Sequence, residues 1–197
     1  MRSLPISFIV LVVMALSGCK TWDISQLSPT NAPISSKLPA LEESTQGIIN
    51  SSEYQDKQDL FNAEVEQNLM IPYGEKYGYI ILQTNTGDIK MGNGFSVVSG
   101  LTLFIANLIG IPFSRTKIEL EATVEILNSR KELIGKYRAI GKGQGIAALY
   151  YGYAVKNTFR KAYADALKNA LSQIRPQIQT DAGRLSSELK KTGQINN

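Results

Sequence analysis

Histidine is absent from the 197-residue chain, and cysteine occurs once, at Cys19. The first absence excludes histidine-based catalytic triads and histidine-containing metal sites. The second excludes an internal disulfide, so stability has to come from a packed core. Charge of one sign is not dominant either: 21 Lys and Arg stand against 17 Asp and Glu, for a formal net charge of +4. An excess this small fits a solvated surface, or a face that meets anionic headgroups or cell-wall polymers. Carboxylate-only and Ser–Lys chemistry would survive these absences, but no residue pattern for either is present. The expectation is a protein that is not an enzyme and uses no cofactor and no metal.

What is present begins with an address. Arg2 gives a positive start, and residues Ile6 to Leu16 are almost wholly apolar. That run is shorter than the ~20 residues needed to cross a bilayer, which marks a cleaved signal rather than a permanent span. The stretch Leu16-Ser17-Gly18-Cys19 resembles the lipobox of bacterial lipoprotein signals. The resemblance implies diacylglyceryl transfer to the Cys19 thiol, cleavage between Gly18 and Cys19, and acylation of the new amino group. Several acyl chains hold a membrane far better than one, since each buried CH₂ adds about 0.8 kcal/mol. With its thiol lipidated, Cys19 is lost as a nucleophile or zinc ligand. Lys20 occupies the position where inner-membrane retention usually involves Asp, so the same resemblance implies the outer membrane, with the protein facing the periplasm. Export also removes nucleic acid as a partner.

About 180 residues remain after cleavage, enough for one ordinary domain. Residues 1–18 are expected to be the signal peptide and 19–37 the lipidated cysteine and a flexible tether, polar and interrupted by Pro29 and Pro33. An α+β domain is expected over 38–179, with a polar tail over 180–197. Asp56 to Leu69 has helical spacing through Leu60, Phe61, Val65 and Leu69, with Glu64 among the residues on its other faces. Tyr77 to Thr84 reads as a strand apolar on both faces, closed by the turn residues Asn85, Thr86, Gly87 and Asp88. Between Lys117 and Leu127 apolar and charged residues alternate strictly, the pattern of a strand with one buried and one wet face. Leu133 to Ile140 returns beside it, bringing Lys136 and Arg138 across from the glutamates. Ala154 to Ile178 carries a broad apolar helical stripe, with Pro176 expected to kink or end it near Arg175. The fold expected is α+β: an antiparallel sheet packed by this long C-terminal helix and by the shorter N-terminal helix, after a disordered tether.

Three features stand apart from this frame. Met91 to Ser114 carries no charge at all. Read as a helix, it puts Leu101, Phe104, Ile105 and Leu108 on one stripe. Buried core, an exposed patch that meets a partner, and a membrane span are all open readings of such a run. Gly141, Gly143 and Gly145 lack the Gly-Lys-Ser/Thr ending of a phosphate loop and read as a sheet edge or bulge relaxing into a loop. Tyr150, Tyr151 and Tyr153 surround Gly152 before the long helix; they suit either an interface or a cap on the core.

Taken together, the helix ending near Asn68, the apolar run closing in Gly110-Ile111-Pro112, the charged hairpin Ile118 to Ile140, the tyrosine element and the Ala/Leu-rich helix Ala162 to Leu171 resemble a loose class of bacterial envelope lipoproteins. That resemblance carries no activity to particular residues. In outline, a lipid anchor with a small α+β domain and a long uncharged insertion is also similar to curli-secretion-type lipoproteins, which implies an oligomeric secretion or pore subunit as the alternative. Phe95 to Phe113 lacks the alternation of a barrel strand. The expected function is a non-enzymatic binding or structural module of the outer membrane. Its expected partners are the membrane, through the anchor, and an envelope protein or a second copy of the chain.

Overall fold

The computed structural model describes residues 22–46, 51–92, 112, 114–148 and 152–195. In chain order these form a 3-10 turn (Ile24–Leu27), strand β1 (Glu42–Gln46) and helix α1 (Ser51–Glu64), which a π-helical segment (Val65–Leu69) prolongs. Strands β2 (Gly78–Gly92), β3 (Ser114–Asn128) and β4 (Leu133–Ala147) follow, then helix α2 (Val155–Thr192). The architecture is α+β, with one sheet ordered β1-β2-β3-β4. The sheet is mixed rather than purely antiparallel, because β1 runs parallel to β2. Helix α1 lies between these two strands in the chain, and a crossover of that length returns the second strand in the direction of the first.

Alternation in β3 decides which face is buried. Ile118, Leu120, Ala122, Val124 and Ile126 are all at most 2% exposed and face the helices. On the opposite face Lys136 meets Glu125 at 2.7 Å, Arg138 meets Glu121 at 3.1 Å and Lys142 meets Glu119 at 3.5 Å. These solvent-washed pairs contribute about 0.2–1 kcal/mol each, so the apolar face dominates. Residues 85–88 do not close β2 as a turn. The strand continues through them to Gly92, and the register against β3 shifts between Thr86 and Ile89, so the turn-forming residues supply a β-bulge.

Helix α2 lies directly on β4, and the three glycines are the reason. A Cβ at Gly141 would stand 1.9 Å from the Ala166 carbonyl oxygen, one at Gly143 1.9 Å from that of Ala162, and one at Gly145 2.0 Å from that of Thr158. The steps match: two strand residues advance ~6.6 Å and four helix residues ~6 Å. The strand is therefore regular here, not a bulge relaxing into a loop. Being the edge of the sheet, β4 leaves alternate backbone groups without a strand partner, and polar side chains of α2 take them up. Gln173, Gln177 and Arg184 donate to the carbonyls of Ile140, Arg138 and Ile134, while the Lys142 N–H donates to Asn169 Oδ1. An edge occupied in this way is closed to another strand.

Two expectations about α2 are corrected. Pro176 does not end the helix, and residues 180–192, expected as a polar tail, continue it. Ile178, Ala182, Leu185 and Leu189 continue the stripe and are at most 1% exposed. Burying such side chains gives roughly 1.5–3 kcal/mol each, which together outweighs the ~3 kcal/mol cost of an internal proline.

The stretch expected to be a tether belongs to the folded body from Trp22 onward. Leu27 and Ile34 are core residues, 4% and 3% exposed, and Trp22 packs against the same core. Glu64, placed by its spacing off the apolar stripe, is at the centre of a buried clamp. Arg175 donates from Nε and Nη2 to its two carboxylate oxygens, both at 2.8 Å. Asn68 Nδ2 donates to Glu64 and to the Thr30 carbonyl, and Asn68 Oδ1 accepts from the Ala32 N–H. One polar node thereby joins the N-terminal segment, the end of α1 and the middle of α2.

Candidate functional site

The strand registers and the glycine contacts define two ends of the molecule. Thr158, three residues into α2, lies on Gly145; Gly145 pairs with Thr116, and Thr116 with Met91. This row crosses the whole molecule at one height. At the other end Leu189 lies against Gly78, which pairs with Asn128. The twelve residue steps along β3 from Thr116 to Asn128 separate the two rows by about 40 Å.

The N-terminal segment enters at the first of these ends. The Trp22 ring stacks on the Arg160 guanidinium, 4.6 Å from the ring centroid, and Arg160 forms a two-pronged bond to Asp56 with both contacts at 2.7 Å. Arg160 lies half a turn beyond Thr158, so Trp22 stands at the height of the Met91 row. The planar cation can stack and pair at once, which a lysine could not do. Tyr153 reinforces the same end. Its N–H donates to the Ile146 carbonyl at 2.8 Å, and its hydroxyl meets Gln26 Oε1 at 3.2 Å.

The surface of this end combines apolar groups with charges of both signs. Ile89 and Met91 are 45% and 61% exposed. Beside them an open cleft of about 520 Å³ is lined by the carboxylates Asp88, Glu119 and Asp165 and the lysines Lys90, Lys117 and Lys142. Lys142 faces Glu119 at 3.5 Å and Lys90 faces Asp88 at 3.9 Å. Lys117, cross-strand neighbour of Lys90, has no carboxylate partner in an ion pair among the described residues. Strand β2 ends at Gly92 and β3 begins at Ser114 at this same end, and the sequence between them carries no charge.

Of the residues singled out in the sequence, Gly18, Cys19, Leu101, Phe104, Ile105, Leu108, Tyr150 and Tyr151 lie outside the described residues. Tyr153 is within them and is 8% exposed, so it caps the core where sheet meets helix, one of the two roles open to it. The sequence reading missed the Trp22–Arg160–Asp56 stack, because Asp56 and Arg160 are far apart in the chain. It also missed the exposed pair Ile89 and Met91, placed beyond a bulge that disguises the strand. Leu27 and Ile34, apolar residues isolated in a polar stretch, were the available sign that the fold begins early.

Among the described residues no group of acidic side chains is placed to hold a metal ion. No helix among them is long and apolar enough to cross a membrane. No family model and no curated protein matches the chain. Among solved structures, the chain is similar to one from Helicobacter pylori, provisionally described as a homolog of neuraminyllactose-binding hemagglutinin. The identity is 7% and the TM-score 0.38, over 82% of this chain and 91% of that one. It is also similar to a chain of Caulobacter crescentus CB15, provisionally described as a lipoprotein, at 13% identity and a TM-score of 0.32, over 75% and 89% of the two chains.

Proposed function

We propose that the chain is a lipid-anchored module of the bacterial outer membrane, facing the periplasm, that binds or braces an envelope component without catalysis. One observation carries this reading: the lipobox cysteine, Cys19, lies only three residues before Trp22, and Trp22 is already stacked on Arg160. A folded body that begins this close to its anchor is held at the membrane. The contact surface is the end that gathers Trp22, Ile89, Met91, Lys90 and Lys117.

Separation of cell envelopes tests the anchor. The parent protein is expected in the outer-membrane fraction, whereas Cys19→Ser is expected as unlipidated protein that no longer sediments with outer membranes. Equal sedimentation of the two with the outer membrane would remove the anchor from the account. Crosslinking in intact cells, from a photoreactive residue placed at Met91, would then identify what the surface touches.

A further inference from the structure

We infer that this end of the domain rests on the same lipid leaflet that carries the anchor, so that the sheet and helix α2 stand away from the membrane with the Asn128–Leu133 turn outermost. The inference rests on lipidation of Cys19 and adds to it an orientation and a second attachment point.

Reach is the first argument. Only Lys20 and Thr21 lie between Cys19 and Trp22. Three extended residues span at most about 11 Å, so Trp22 cannot leave the headgroup region while the acyl chains remain inserted. Trp22 is in turn fixed to α2 through Arg160, and Arg160 to α1 through Asp56. The body has no slack with which to turn its other end, about 40 Å away along β3, toward the lipid.

Chemistry is the second. At the height of Trp22 the sheet presents Met91 and Ile89, exposed apolar side chains alternating with Lys90, and Lys117 stands cross-strand from Lys90. Exposed apolar groups with lysines beside them suit the boundary between acyl chains and anionic headgroups. The opposite end also exposes apolar and basic groups, Leu133 and Tyr73 with Arg130 and Lys131, so it is reach, and not composition alone, that selects the end meeting the lipid.

The test uses the full lipidated protein in vesicles of phosphatidylethanolamine and phosphatidylglycerol. Acylation of Cys19 leaves no native thiol, so single cysteines introduced by Met91→Cys and, separately, Arg130→Cys can each carry an environment-sensitive fluorophore. Lys90→Cys gives a second position at the membrane-facing end should the first label disturb folding. Nitroxide-bearing lipids are expected to quench the labels at positions 91 and 90 several-fold more than the label at position 130. Equal quenching at the two ends, or stronger quenching at position 130, would overturn the orientation while acyl mass on Cys19 kept the anchor. Absence of that mass would overturn the anchor and the orientation with it.

Discussion

Replacing Gly143 by alanine tests the packing on which the two-layer body depends. The new Cβ would stand 1.9 Å from the Ala162 carbonyl oxygen and 2.5 Å from the Ala166 nitrogen. A carbon and a carbonyl oxygen settle at about 3.3–3.6 Å even in close contacts, so helix and strand have to part by roughly 1.5 Å. Neither side can give way by rotating a side chain, because both obstacles are backbone. A gap of that size forfeits much of the dispersion between α2 and the sheet, where Ala162 and Ala166 are fully buried. Overpacking of this kind costs about 1–3 kcal/mol and occasionally more, and with backbone on both sides about 3–4 kcal/mol is expected. For a chain this long that lowers the melting temperature by roughly 6–16 °C. Gly183→Ala is the control, since it lies in the same helix with nothing within 4 Å of the added methyl; it is expected to stabilise by about 0.5–1 kcal/mol. Urea titrations followed by circular dichroism measure both. If Gly143→Ala unfolds within about 0.5 kcal/mol of the parent, the close approach of α2 to β4 is wrong.

The buried clamp gives a second expectation: Arg175→Met alone strands Glu64 and costs about 3–5 kcal/mol, while the double variant Glu64→Leu with Arg175→Met recovers most of it. Additive losses in urea unfolding would count against the clamp. Acid stability tests a third group. The Arg184 guanidinium, and after it the Tyr137 hydroxyl, hold the Asp181 carboxyl below its ordinary range, so its folded form binds protons less readily than the unfolded chain. Its contribution is therefore present above the ordinary carboxylate value of about 3.9 and is lost as pH falls through the lower folded value. Asp181→Asn should flatten the acid side of the stability profile, and an unaltered profile would refute this. Finally, Gln173→Val together with Gln177→Val uncovers carbonyls on the β4 edge; light scattering should then show more self-association than in the parent, whereas an unchanged mass would show that those side chains do not guard the edge.

Regular periodicity was the most legible part of the chain. The strict alternation of β3 announced both the buried face and the charged one, and the apolar stripe of α2 announced the helix that covers it. What escaped was decided by distant partners. Ala182, Leu185 and Leu189 form a thin stripe in a polar sequence, and only the sheet beneath them makes them core. Pro176 is a helix breaker locally and a helix residue here, because packing on both sides of it exceeds its cost. Spacing put Glu64 off the apolar stripe, and only Arg175, remote in the chain, makes its burial possible. The direction of β1 was likewise invisible, since a parallel pairing depends on where the crossover helix delivers the next strand. For the candidate site, the lipobox and the uncharged run were legible, but the placing of Trp22 and Met91 at one end of the body was not. That follows from strand register and from the stacking of Trp22 on Arg160.

The claim beneath all of this is that the mature protein begins at a lipidated Cys19, three residues before the fold. Intact mass of the protein extracted from membranes measures it directly. The account predicts a chain that starts at Cys19 and carries the added mass of a diacylglyceryl group and an N-linked acyl chain. A chain that still begins at Met1, or a Cys19 with a free thiol, would contradict it.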